Sequence, residues 1–139
     1  MEWENIMNNR LHNCTNPYQT EAKRVLCVCS AGLLRSPTAA NVLHREYGYN
    51  TRAAGVDTDH ALVPVDVVLI KWADEIVCMD QWQAARIEEI ADLQGFTPPL
   101  IRQLGIPDSY EWMNEELQHF ILKSYRDSVH VRDKQYGNN

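Results

Sequence analysis

One cysteine of the sequence is followed by an arginine and a serine at a spacing that suits anion chemistry. Five residues separate Cys29 from Arg35, and Ser36 comes directly after the arginine. A cysteine thiolate is a nucleophile, and the planar guanidinium of an arginine can bind two oxygens of a phosphoryl group. The hydroxyl of Ser36 can donate a hydrogen bond to the thiolate and help it to depart in a later step. Together the three residues favour attack on phosphorus, with Cys29 as the nucleophile.

The loop between the cysteine and the arginine can supply the site that holds the oxyanion. Successive backbone N–H groups in a loop that leads into a helix can turn inward and form a nest for a phosphate-sized anion, with help from the helix dipole. Such a nest also favours the thiolate form of Cys29. We therefore predict that phosphate is bound by Arg35 and by the loop residues Ser30, Ala31, Gly32, Leu33 and Leu34.

This chemistry requires a strand before the loop and a helix after it. The apolar run 24–29 predicts a buried strand, and Ser36 followed by Pro37 predicts the start of a helix that ends at Tyr47, before Gly48. Further strands are predicted at 51–56, 75–79 and 100–104. Further helices are predicted at 65–72, 81–92 and 114–131.

Strands and helices that alternate in this way predict an α/β fold, a three-layer sandwich with a central four-stranded parallel sheet. The phosphate-binding loop follows strand one, at the carboxyl edge of the sheet where such folds bind ligands. We expect one buried stripe in the third helix, formed by Trp82, Ala85, Ile87 and Ile90, and another in the last helix, formed by Leu117, Phe120, Ile121, Tyr125 and Val129.

Composition limits the classes of partner. The chain has 139 residues and a formal charge of −6, with its Lys and Arg residues scattered, which argues against nucleic acid as a partner.

We expect a polar, poorly ordered arm over 1–20 and a single domain over 21–139. No apolar stretch is long enough to span a membrane, and the polar residues 1–20 do not resemble a signal peptide, so we expect no membrane contact and a cytoplasmic location. The cysteines lack zinc-site spacing, so no metal or cofactor is predicted, and Cys14, Cys27 and Cys78 are interpreted as bystanders.

The segment 25–40 resembles the low-molecular-weight protein tyrosine phosphatase family, which combines an apolar strand, a C-x5-R-S-P loop and a helix start of small residues. The segments 52–56, 72–80 and 104–113 are similar to the family's segments after strand two, around strand three and in its acid loop. The likeness runs from about residue 24 to the end and is closest to a compact bacterial and phage-type branch. Gly32 stands where the family usually has Asn, and Leu34 where many members have Cys.

The resemblance implies hydrolysis of phosphotyrosine monoesters through a phosphocysteine, without a metal or cofactor. The substrate would be a phosphotyrosine-containing protein or a small aryl phosphate. Such cleavage needs a general acid for the leaving oxygen, and we assign Asp108, in the Pro-flanked loop after the last strand. Asp57, Asp59 and Asp80 remain rivals, although Asp80 also suits a helix cap.

Apolar and aromatic residues near the proposed acid can form the walls of the substrate pocket. Tyr110 and Trp112 would form one wall of a slot deep enough for phosphotyrosine, and Leu33 and Leu34 the opposite edge. The alternative for both aromatic residues is packing beneath the last helix.

Two other functions remain open at the level of sequence. One is a non-catalytic module that binds phosphate for regulation. The other is an arsenate reductase on the same fold, which needs resolving cysteines near residues 78–95, where Cys78 stands alone in an apolar strand.

Overall fold

A computed structural model describes residues 22–30, 35–57, 61, 63–107 and 109–137, with side chains as far as residue 128. Four strands alternate with four helices along the chain. The strands are β1 (Arg24–Cys29), β2 (Asn50–Gly55), β3 (Glu75–Cys78) and β4 (Leu100–Gln103). The helices are α1 (Arg35–Tyr47), α2 (Val67–Trp72), α3 (Gln81–Gln94) and α4 (Glu115–Gly137). The arm expected over 1–20 lies outside the described residues.

The four strands form one parallel sheet in the order β2-β1-β3-β4. This confirms the predicted α/β fold with its central four-stranded parallel sheet. The first strand, β1, lies in the interior of the sheet, where it hydrogen-bonds to β2 on one side and to β3 on the other. The loop after β1 therefore opens at the centre of the carboxyl edge.

The helices cover both faces of the sheet, which gives the three predicted layers. Alternate residues of β1 point to opposite faces because the side-chain period of a strand is two. Val25, Cys27 and Cys29 pack with α1 and α4, whereas Leu26 and Val28 pack with α2 and α3. Among the helices that the structure describes, none combines the length and apolarity needed to cross a bilayer.

The ends of the elements follow local chemistry. Gly48 has φ 71°, in the left-handed region that a glycine adopts without strain, and its N–H donates to the carbonyl of His44 at 2.9 Å. This is the predicted end of α1. The last helix continues to Gly137, six residues beyond the predicted end at Val131.

The expected buried stripe of α3 is partly wrong. Trp82 and Ala85 are exposed. The buried residues recur instead at spacings of three and four, which mark one helix face, and are Gln83, Ala84, Ile87 and Ala91. In α4 the stripe is confirmed at Leu117, Ile121 and Tyr125, which are fully buried.

Candidate active site

Cys29 lies at the last position of β1, and its side chain is almost fully buried. Its Sγ atom is 3.1 Å from the Oγ atom of Ser36, in the first turn of α1. The Ser36 hydroxyl is also 3.4 Å from the carbonyl oxygen of Ala54 in β2. The predicted strand and helix thus bring the sulfur and the hydroxyl into contact across the intervening loop.

Arg35 is the first residue of α1, and only 1% of its surface is exposed. Its Nη1 donates to the backbone carbonyl of Ile106 at 2.7 Å and lies 3.3 Å from Oδ2 of Asp80. Its Nη2 lies 3.4 Å from Oγ of Ser30, the residue after the cysteine. The guanidinium therefore lies between the loop that follows β3 and the loop that follows β4. It also lies beside Ser30, where the loop after Cys29 begins.

Asp80 has two structural roles. It is the N-cap residue of α3, as the sequence suggested, and it is also the ion-pair partner of Arg35. Gln83 fixes this turn, because its buried Oε1 accepts hydrogen bonds from the backbone N–H groups of Met79 at 2.9 Å and Asp80 at 3.0 Å. The sequence did not reveal the ion pair. A signal was present, however, since an Asp directly after β3 must lie at the same sheet edge as the loop after β1.

The loop after β4 is attached to the first turn of α1. The Met113 N–H donates to the buried Thr38 hydroxyl at 2.8 Å, and the Gln118 side chain donates to the Met113 carbonyl at 2.8 Å. Met113 has φ 58°, a left-handed conformation that costs a non-glycine residue on the order of 1 kcal/mol. These hydrogen bonds hold the strained residue beside the first turn of α1, the helix that begins at Arg35.

The two aromatic residues of this loop differ in burial. Tyr110 is partly buried and packs against the core cluster between the sheet, α1 and α4. Trp112 has 51% of its surface exposed. Both lie in the segment attached at Met113, so the structure brings them to the predicted edge of the sheet. Asp108, the predicted acid, lies outside the described residues.

Four predicted phosphate-binding residues also lie outside the described residues, namely Ala31, Gly32, Leu33 and Leu34. The flanks of their loop are well defined. The backbone N–H of Asp57 donates to the carbonyl of Ser30 at 2.7 Å, and that of Val56 donates to the carbonyl of Cys29 at 3.1 Å. Asp57 therefore shares this edge of the sheet and stays a rival for the acid, whereas Asp59 lies outside the described residues.

The cysteines are divided between the faces of the sheet. Cys27 is buried on the same face as Cys29, and Cys78 is buried on the opposite face. Burial raises the pKa of the Cys78 thiol well above its usual range, with smaller contributions from Glu88 and Cys29. A thiol in that position is a poor partner for Cys29, so it gives no support to the reductase alternative. Within the described part of the chain, no three His, Cys, Asp or Glu side chains are grouped as a metal site would require.

Comparison with known proteins identifies similar solved structures. No protein-family model matches the chain, and a comparison with curated proteins finds no match. The tyrosine phosphatase Wzb from Escherichia coli K30, in complex with phosphate, is 18% identical with a TM-score of 0.58, over 79% of this chain and 99% of that one. Vibrio vulnificus Wzb, in complex with benzylphosphonate, is 18% identical with a TM-score of 0.53, over 82% and 99%.

The Erwinia amylovora tyrosine phosphatase AmsI gives a similar result, with 16% identity and a TM-score of 0.59 over 79% of this chain and 93% of that one. At such identities the likeness concerns the fold. It agrees with the four-stranded parallel sheet and the helices that alternate with its strands. The chain has the fold of tyrosine phosphatases of the low-molecular-weight type.

Proposed function

We propose that the protein is a cysteine-dependent phosphatase that hydrolyses phosphotyrosine monoesters. The observation that carries this proposal is the contact of 3.1 Å between Cys29 Sγ and Ser36 Oγ at the carboxyl edge of the sheet, with Arg35 held 3.4 Å from the neighbouring Ser30. The similar solved structures support it, since they are tyrosine phosphatases and two of them hold phosphate or benzylphosphonate. The substrate would be a phosphotyrosine-containing protein or a small aryl phosphate.

The reaction would proceed in two displacements at phosphorus. The Cys29 thiolate attacks the phosphoryl group, the bond to the tyrosine oxygen breaks, and that oxygen takes a proton from the general acid. Water then attacks the phosphocysteine and gives its proton to the same carboxylate, and inorganic phosphate and the thiolate are released. Arg35 and the loop N–H groups stabilise the charge on the phosphoryl oxygens in both steps.

A test of the nucleophile uses the two cysteines that share one face of β1. The full-length chain is given p-nitrophenyl phosphate and a phosphotyrosine peptide, beside Cys29→Ala and the matched control Cys27→Ala. We expect the first variant to lose more than about 1000-fold in kcat and the control to keep most of the activity per folded molecule. Turnover that survives Cys29→Ala would refute the mechanism.

The same assay separates the remaining alternatives. A regulatory module would bind inorganic phosphate without turning over either substrate. An arsenate reductase would instead oxidise its thiols in the presence of arsenate, and that reaction would require Cys78.

The general acid can be identified by comparing two substrates whose leaving groups differ in their need for a proton. If Asp108 protonates the leaving oxygen, Asp108→Asn should lower kcat/KM, which reports only the steps up to phosphoryl transfer, by about 100-fold or more for phenyl phosphate, whose phenolate is a poor leaving group. The loss should be much smaller for p-nitrophenyl phosphate, whose leaving group needs no proton. Asp57→Asn is the matched control at the same sheet edge. If it shows this pattern and Asp108→Asn does not, the acid is Asp57.

A further inference from the structure

The segment between β4 and α4 is attached at both ends to one turn of α1. At its start, the carbonyl of Ile106 accepts a hydrogen bond from Arg35 Nη1 at 2.7 Å. At its end, the N–H of Met113 donates to the hydroxyl of Thr38 at 2.8 Å. Arg35 and Thr38 are both buried, and because they are three residues apart they are neighbours on the first turn of the helix. The helix that carries Arg35 and Ser36 therefore also sets the position of this segment.

The attachment at Met113 enforces an unusual backbone conformation. Met113 has φ 58°, and a residue with a side chain keeps a left-handed conformation only where its surroundings enforce it. Thr38 holds its N–H, and the side-chain amide of Gln118 holds its carbonyl at 2.8 Å. Without the Thr38 hydroxyl, that N–H would lose its acceptor and φ would relax toward its ordinary negative range. Because φ is the rotation about the N–Cα bond, the relaxation would swing the residues before Met113 relative to α4.

The residues before Met113 are the ones that the proposed reaction needs. Tyr110 and Trp112 are the proposed wall for the ring of the substrate, and Asp108 is the proposed acid. Tyr110 packs against the cluster of buried residues to which Cys29 belongs, so the middle of the segment faces the nucleophile's side of the sheet. A general acid acts only within hydrogen-bonding distance of the leaving oxygen, and a small displacement of the loop therefore lowers the rate.

We propose that Thr38 is a positioning residue for the phosphatase reaction. Its hydroxyl holds Met113 in the left-handed conformation and thereby keeps the loop that carries the general acid at the phosphate site. The inference rests on the proposed function and on Asp108 as the acid, and it extends both, because it assigns the residue that sets the reach of the acid. A threonine with a structural role alone would affect stability without changing which leaving groups the enzyme handles.

The test takes the ratio of kcat/KM for p-nitrophenyl phosphate to kcat/KM for phenyl phosphate. Both substrates carry an aryl ring, so a disturbed aromatic wall lowers both values alike, and the folded fraction of the protein cancels in the ratio. Proton donation separates them, since p-nitrophenolate leaves without a proton. We expect Thr38→Val, which keeps the shape and loses the hydroxyl, to raise the ratio by about fivefold or more. Thr38→Ser, which keeps the hydroxyl, should stay near the wild-type ratio.

Thr51→Val is the matched control, because the buried hydroxyl of Thr51 in β2 also serves α1, donating to the carbonyl of Ala40 at 2.8 Å. It should keep the wild-type ratio. An unchanged ratio in Thr38→Val, or an equal rise in Thr38→Ser or Thr51→Val, would overturn this inference while turnover by the wild type still supports the phosphatase. Absence of turnover of both substrates by the wild type would overturn the proposed function and this inference with it.

Discussion

The hydroxyl of Ser36 has two neighbours that require different hydrogen bonds. The carbonyl of Ala54, 3.4 Å away, can only accept, whereas the sulfur of Cys29, 3.1 Å away, can donate as a thiol or accept as a thiolate. As a thiol, Cys29 donates to Ser36, whose proton then points to Ala54. As a thiolate, the sulfur receives that proton in a hydrogen bond. The buried serine is therefore satisfied in both states and stabilises the charged sulfur.

This arrangement predicts a kinetic effect of Ser36→Ala. A hydrogen bond to a charged group is worth about 1.5–3 kcal/mol, so kcat should fall about 10- to 100-fold. The loss should be largest in hydrolysis of the phosphocysteine, where the sulfur departs as a thiolate. Stopped-flow measurements should then show a more pronounced burst of p-nitrophenol. Ser124→Ala, in the middle of α4, is the control, and an unchanged kcat in Ser36→Ala would contradict the role.

Asp80 supplies a negative charge to an arginine that is almost completely buried. Asp80→Asn should lower the free energy of unfolding by about 1–3 kcal/mol, less than for a fully buried pair because the Asp80 side chain is 41% exposed. Inorganic phosphate should then raise the melting temperature more in the variant than in the wild type, because the anion replaces the missing counter-charge on Arg35. Thermal unfolding with and without phosphate measures both effects.

Asp74→Asn is the control for that experiment, since its ion pair with Arg24 is exposed. If phosphate raises the melting temperature equally in Asp80→Asn and in the wild type, Asp80 is not the counter-charge of Arg35 that the anion replaces. A loss of activity confined to poor leaving groups would instead make Asp80 the general acid.

At the scale of elements, the strands end in two different environments. The carboxyl edge of the sheet holds the candidate site, and the amino edge holds a buried charged network around Glu75 at the start of β3. Its carboxylate pairs with Arg102 of β4, lies 2.8 Å from Lys23 Nζ and accepts from the Tyr125 hydroxyl at 3.0 Å. This network connects β3, β4, α4 and the segment before β1.

Glu75→Gln should therefore be strongly destabilising, by about 3–5 kcal/mol, because it leaves the buried Arg102 without its charge partner. Activity per folded molecule should be unchanged, since the network lies about 13 Å along the strands from Cys29. Urea unfolding followed by circular dichroism measures the loss. The neighbouring Asp74→Asn, in an exposed ion pair, should show only a small fraction of it, and equal losses in the two variants would contradict the argument.

Local patterns predicted the order of the elements, but not the contacts made at long range. The run before Cys29 and the Ser-Pro pair after Arg35 are local signals, and both were confirmed as a strand and a helix start. Glu75 has partners 27 and 50 residues away, which no periodicity encodes. Trp82 was placed on the wrong face because four-residue spacing from Gln83 decides which side of α3 is buried, and a polar glutamine does not mark a buried stripe.

Local signals also predicted which residues of the candidate site would lie near one another, but not all of their contacts. Spacing and topology brought Cys29, Arg35 and Ser36 together, since both flanks of their loop are fixed by strong local signals. The Asp80 pair could not be read from spacing, because it depends on β1 and β3 being neighbours in the sheet.

At the scale of the whole molecule, the two buried layers each contain an ionisable group that the core keeps neutral. Burial raises the pKa of Cys78 above its ordinary value of 9.0 and that of Tyr125 above 10.0, the latter with help from its hydrogen bond to Tyr49. Both groups ionise more readily in the unfolded chain. Their contribution to stability is therefore complete below about pH 9 and is lost as the pH rises toward their folded pKa values.

We accordingly expect the free energy of unfolding to decline above pH 9, by up to about 1.4 kcal/mol per pH unit for each group. Cys78→Ala should remove one of these contributions and make the decline shallower between pH 9 and 10.5. Ile76→Val is the matched control, because it shortens an equally buried side chain of β3 that carries no proton. It should lower stability by the same amount at every pH. If urea unfolding shows parallel pH profiles for Cys78→Ala and the wild type, the Cys78 thiol does not contribute to the alkaline loss.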